Sequence, residues 1–306
     1  MRSLLARLAV LGAFAVSVSA CSSGHDSSLP IAGPPNNNGG SIANLQTGAN
    51  GTALIRFVQG SPDVGQVDVC IDATPAVGGL QVSSTPAAVS KLPFKGSALI
   101  GVAGGIPHVV SVYLSSIANG AACPTAPGPF NGTAPIAFTT VPSTVNTRML
   151  IALGGRAGKN LGLYAYTSPT FATPPTGPAA IGYNDAPSFG AVAFGTIATT
   201  GGTPTTLPGL TNVPAPTKTA TPAALPSPIP AGISAPLASV PAAFYDAAAA
   251  TPTVPVTTVP VPTVSTAPGF PTPGQAYVVD LIAVDSAAAA KLDLVLVTES
   301  TTGYGF

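Results

Sequence analysis

Short apolar–polar alternations, interrupted by proline or glycine every few positions, run through this 306-residue chain from Thr52 onward. A period of two places successive side chains on opposite faces of a strand. Ala53-Leu54-Ile55-Arg56-Phe57-Val58 predicts a first strand, closed by a turn at Gly60-Ser61-Pro62-Asp63. Val67-Asp68-Val69-Cys70-Ile71-Asp72 alternates strictly, with Val67, Val69 and Ile71 facing one way and Asp68, Cys70 and Asp72 the other. Further strands are expected over 99–102 and 109–114. Residues 148–153 and 161–167 predict a hairpin around the glycine-rich turn 154–159, and 277–284 with 292–298 predict another. Proline lacks the helical N–H and clashes with the preceding turn, so 35 prolines exclude long helices. The class is all-β with extended loops.

The pattern repeats itself. Ser61-Pro62-x-Val64-Gly65-x-Val67 aligns with Ala186-Pro187-x-Phe189-Gly190-x-Val192 at an offset of 125 residues. Residues 160–167 align with 291–298 at an offset of 131. Similar offsets at both ends imply two units of nearly equal length. The middle of the second unit, 198–273, is compositionally distinct. Between Asp185 and Asp280 the only charged residues are Lys218 and Asp246. Proline blocks ladder hydrogen bonds, so 251–263 suits an edge strand or polyproline II, and 198–273 is expected to be extended or loosely packed.

The N-terminus follows another logic. Arg2 and Arg7 precede an apolar run over 8–18, too short for the roughly 20 residues of a membrane span. Small residues then lead into Cys21. This arrangement resembles the lipobox of bacterial lipoproteins, in which the leader is removed and the cysteine is acylated. The resemblance implies a leader at 1–20, lipidation of Cys21 and attachment to a membrane through that N-terminal lipid. Buried acyl chains contribute about 0.8 kcal/mol per methylene. Ser22, in place of an aspartate, resembles the sorting signal for the outer membrane, which places the expected location in the cell envelope. Residues 21–50, including Gly33-Pro34-Pro35-Asn36-Asn37-Asn38-Gly39-Gly40, read as a flexible tether.

Charge narrows the partners. Basic and acidic residues number ten each, and cutting the leader removes Arg2 and Arg7, which leaves two more acids than bases. No basic patch is available for nucleic acid. Charged residues make up 7% of the chain, against about 25% in typical soluble domains, so hydroxyls, backbone and small side chains must form the exterior. Cys70 and Cys123 are the other cysteines. In an exported chain a Cys70–Cys123 disulfide is the expected state, with two free thiols as the alternative.

Residues 55–63, with Val67-Asp68-Val69-Cys70-Ile71-Asp72, resemble the signature of domain-of-unknown-function family 4397, V-R-V-x-H-x-S-P-D followed by V-D-V-Y-V-D-G. The resemblance implies two tandem immunoglobulin- or transthyretin-like β-sandwich domains, at 51–172 and 173–306. Gln59 stands where the family has histidine, Cys70 where it has tyrosine, and Ala73 where it has glycine. In the second copy Ser188 replaces Asp63 and Ala193 replaces Asp68.

Candidate chemistry is sparse. Asp63, Asp68 and Asp72 supply oxygens of the kind a hard cation takes, but Asp63 also suits an Asx-type turn, and Asp68 and Asp72 are expected on an exposed strand face. No metal or cofactor is therefore assigned. His108 heads a strand and His25 lies in the tether, each expected to be exposed or capped, and no nucleophile or phosphate-loop motif accompanies them. Asn50-Gly51-Thr52 and Asn131-Gly132-Thr133 match glycosylation sequons, yet in a bacterial envelope protein they mark turns. The terminal aromatic Phe306 invites a β-barrel reading, opposed by strands that are short and broken by proline. The function these features imply is a non-catalytic binding or structural module, with an envelope protein or a glycan as partner. The alternatives are a carbohydrate-binding or adhesive protein, separable by whether Tyr164, Tyr166, Tyr183 and Phe189 are exposed together, and an enzyme or hydrolase accessory.

Overall fold

The computed structural model describes residues 52–71, 89–118, 121, 123–124, 127–145, 147–168, 179–196, 205–214, 233–236, 242–246, 257–259, 277–288 and 292–300. Cys21, His25, Asp72, Asn50 and Phe306 lie outside them. The first half holds β1 (Thr52–Gln59), β2 (Val67–Ile71), β3 (Val89–Leu92), β4 (Ser97–Ala103), β5 (His108–Leu114), the single-turn α1 (Ser115–Ala118), β6 (Ala137–Val141), β7 (Arg148–Gly154) and β8 (Gly162–Thr167). The second holds β9 (Ala179–Asp185), β10 (Val192–Thr196), β11 (Thr205–Thr206), β12 (Ile233–Pro236), β13 (Ala242–Asp246), β14 (Thr257–Val259), β15 (Tyr277–Asp285) and β16 (Leu292–Ser300).

Hydrogen bonding orders these strands into four open sheets: β4-β1-β7-β8, β3-β2-β5-β6, β12-β9-β15-β16 and β11-β10-β13-β14. Raising every label of the first two sheets by eight gives the last two, so both halves share one topology. The parallel pairing recurs as well, β1 with β7 and β9 with β15. The open sheets among the described residues do not form a closed barrel.

Three apolar layers separate the four sheets. Ile55, Phe57, Val67, Val69, Val110, Val112 and Ile151 fill the first sandwich. Phe194, Leu207, Leu210, Leu281 and Leu294 fill the second. Between the sandwiches lies a third core: Val58, Leu150, Ala152, Tyr164 and Tyr166 from one half meet Ile181, Tyr183, Val278, Ile282, Val284, Val295 and Val297 from the other. Alternation explains the assignment, since Met149, Ile151 and Leu153 of β7 enter the first sandwich while Leu150 and Ala152 enter the middle layer. Strands buried on both faces read as nearly continuous apolar runs, as β7 and β15 do. Across the middle layer, buried Arg148 Nη2 meets buried Asp280 Oδ2 at 2.5 Å.

Outside β2 and β5 a smaller cluster forms from Cys70, Tyr113, Ala118 and Phe130. Cys70 and Cys123 are joined there as a disulfide with Cα atoms 5.7 Å apart. On the same strand one expectation is overturned. Asp68 is 1% exposed rather than on an open face, because it accepts bonds from Ser115 Oγ and from the backbone N–H of Lys91 at 2.5 and 2.8 Å. Of the two alternatives for His108, exposure is excluded, since it is fully buried at the start of β5, while a capped ring stands.

Within 198–273 the described residues include four strands, β11 to β14, and Leu207, Leu210 and Val213 are buried in the second core. β14 is the outermost strand of its sheet, as expected of 251–263, and 198–273 apart from 205–214, 233–236, 242–246 and 257–259 lies outside the described residues. Pro236 lies in β12, an outermost strand, where a missing N–H is tolerated. The inner strand β13, Ala-Ala-Phe-Tyr-Asp, is free of proline.

Candidate functional site

Four turns gather at one end of the middle layer: those after β1, β7, β9 and β15. Each follows a strand of one of the two facing sheets, so the shared topology brings equivalent turns together. The first and third are built alike. Gln59 is buried; its Nε2 donates to Gly65 O at 2.7 Å and its Oε1 accepts from the N–H of Ser61 at 2.8 Å. Asn184, 125 residues on, repeats both bonds with Gly190 O (2.8 Å) and the N–H of Ala186 (3.2 Å). The Gln59 side chain is thus an amide clamp on a turn, and the clamp occurs twice.

Polar side chains link the turns. Asp63 accepts from Ser61 Oγ at 3.1 Å and from the N–H of Ala157 at 3.1 and 3.2 Å, tying the first turn to the second. Asp63 therefore bridges two turns instead of closing an Asx-type turn within one. Asn160 Nδ2 donates to Ser188 Oγ at 3.1 Å, and Arg156 Nη2 donates to the carbonyl of Ser286. Asp63, Ala157, Gly158, Lys159 and Ser188 form the exposed rim.

Beneath the rim sit two fully buried carboxylates, Asp185 and Asp285, and neither oxygen of Asp185 accepts a hydrogen bond. Asp185 lies against first-half backbone: a β-carbon on Gly154 would stand 2.6 Å from Asp185 Oδ2, and one on Gly60 3.1 Å. Burial, then the charge of Asp285, pushes the Asp185 carboxyl well above the usual carboxylate range. Asp285 is also pushed up by burial; hydrogen bonding from Ser188 and the charge of Arg156 partly offset this, and the charge of Asp63 adds to it. Burial and these acids raise the phenols of Tyr164 and Tyr166 as well.

The sequence-predicted residues do not converge here. Asp63 serves the rim and Asp68 ties β2 to Lys91 of β3 and Ser115 of α1, and among the described residues no three His, Cys, Asp or Glu side chains gather to hold a metal ion. Tyr164, Tyr166 and Tyr183 are buried and Phe189 is partly so, packed on the second core, so they present no aromatic platform. Sequence reasoning missed Gln59, Asn184, Asp185 and Asp285 as a set. The 125-residue offset, carried two positions upstream of Ser61 and Ala186, pairs the two amides.

Comparison with known proteins adds little. No family model matches the chain, and no curated protein matches it. Among solved structures, a candidate cell adhesion protein from Bacteroides uniformis aligns over 83% of this chain and 99% of its own, at 11% identity and a TM-score of 0.17. At that score the likeness carries no argument about fold or role.

Proposed function

We propose that this is a lipid-anchored cell-envelope protein whose paired β-sandwiches act as a non-catalytic binding or structural module. The observation that carries this reading is the gathering of four turns at one end of a stack held by three apolar layers. Such an end offers a small, fixed, polar surface, with Asp63, Lys159 and Ser188 at its rim. The distinctive polar side chains are engaged in building that end: Gln59 and Asn184 clamp turns, and Asp63 and Arg156 tie turns together. A glycan-adhesive role would draw on exposed aromatic rings, and Tyr164, Tyr166 and Tyr183 are buried instead. The anchor rests on the lipobox-like approach to Cys21.

The anchoring half is tested by labelling cells with a fatty-acid probe and fractionating their envelopes. Wild-type protein should carry the label and sediment with membranes, while Cys21→Ser should lose the label and keep its leader. Normal labelling of Cys21→Ser would sink the lipoprotein reading.

A further inference from the structure

Asp185 lacks what buried carboxylates usually have. All four oxygens of Asp185 and Asp285 are shut away from water; those of Asp185 accept no hydrogen bond, and Asp285 is approached by the hydroxyl and the N–H of Ser188. Ionised carboxylates in that state are heavily penalised, and a group so placed takes up a proton or gains a counter-charge. A cation is a poor fit, because no third acidic, histidine or cysteine ligand joins them among the described residues. Their position matters as much as their burial. Asp185 ends β9 in the second half, yet Oδ2 packs on Gly60 and Gly154 of the first. Charge appearing there appears inside the contact between the sandwiches.

We propose that Asp185 and Asp285 form a pH-sensitive latch that closes the two sandwiches on each other while protonated and loosens them when it ionises. The groups facing Asp185 favour its neutral form. Tyr164 and Tyr166 of β8 stand near Asp185 as uncharged phenols. Of the turn groups, Ser188 and Arg156 favour ionised Asp285, and Asp63 and burial oppose them. Nothing in this set supplies Asp185 with a compensating positive charge.

The sign follows from linkage. The closed protein keeps protons that an unfolded chain gives up in the ordinary carboxyl range. The stabilisation is complete below that range and is lost as pH rises towards the raised values. One retained proton changes the folding equilibrium by up to about tenfold per pH unit within that window.

The test is urea unfolding of the full chain in detergent from pH 4 to 9, with amide exchange read strand by strand. Wild type should lose stability as pH rises, with protection falling first in β7, β9 and β15 and persisting in β2 and β5. Asp185→Asn should flatten the profile and exceed wild type at the alkaline end. If that variant does not fold, Asp285→Asn should reduce the slope instead. A flat wild-type profile, parallel profiles in wild type and variant, or uniform loss across all strands would overturn the latch. So would a rise in the wild-type midpoint on adding calcium, which would make the pair a cation site.

Discussion

At the scale of single residues, this fold depends on short polar side chains that replace missing backbone partners. Gln59 and Asn184 each use both ends of an amide, donating to a carbonyl and accepting from an N–H across the same turn, and Asn184 also donates to the carbonyl of Val213. Removing the clamp leaves the buried N–H of Ser61 or Ala186 unsatisfied, which costs about 1–3 kcal/mol, whereas the carbonyls of the exposed Gly65 and Gly190 can turn to water. We expect Gln59→Ala and Asn184→Ala each to lower stability by about 1–3 kcal/mol, measured by urea unfolding. A change under about 0.5 kcal/mol, ordinary for a surface position, would show that the turn does not need its amide. Asp68 was misread for a related reason. Period two placed it opposite Val67 and Val69, but a strand face is exposed only if no loop crosses it.

At the scale of elements, local chemistry was the most readable part. Residues 148–153 and 161–167 form the expected hairpin, extended by one residue at Gly154. The other hairpin, 277–284 with 292–298, is likewise present and slightly longer. Asn131-Gly132 is a two-residue turn: both residues have positive φ, 46° and 82°, and Phe130 and Thr133 exchange backbone bonds. Asn-Gly is the sequence such a turn favours. Proline-rich stretches were harder to read, since proline reports where ladders cannot form and says nothing of what the intervening residues do. The five proline-free residues of β13 gave the available signal. The loop over β2 carries a prediction of its own. A link closing 53 residues stabilises by at most about 4 kcal/mol in the chain-entropy model. Reduction, or Cys70→Ser with Cys123→Ser, should therefore lower the unfolding midpoint without abolishing the second half's strands. Mass spectrometry of unreduced protein should find neither thiol open to alkylation. Both thiols alkylating freely would contradict the link.

At the scale of the whole molecule, the two halves meet through equivalent faces. Val58 of β1 and Tyr183 of β9 are 125 residues apart, occupy matching positions and both enter the middle layer. A repeated unit that buries the same face twice behaves as an isologous dimer written into one chain. The sequence displayed the repeat through its offsets but left the mutual packing implicit. Its trace was the apolar character of both faces of β7 and β15, which a single sandwich would not require. The most direct test is a double-mutant cycle on Arg148 and Asp280, which are 132 residues apart and in contact only if the sandwiches are stacked. Each single change, Arg148→Met or Asp280→Asn, leaves a buried charge uncompensated and should cost about 3–5 kcal/mol. The double variant should cost well under the sum, leaving a coupling near the upper end of roughly 0.5–3 kcal/mol. Additive losses would mean the two side chains do not meet in solution, and the stacked arrangement would be wrong.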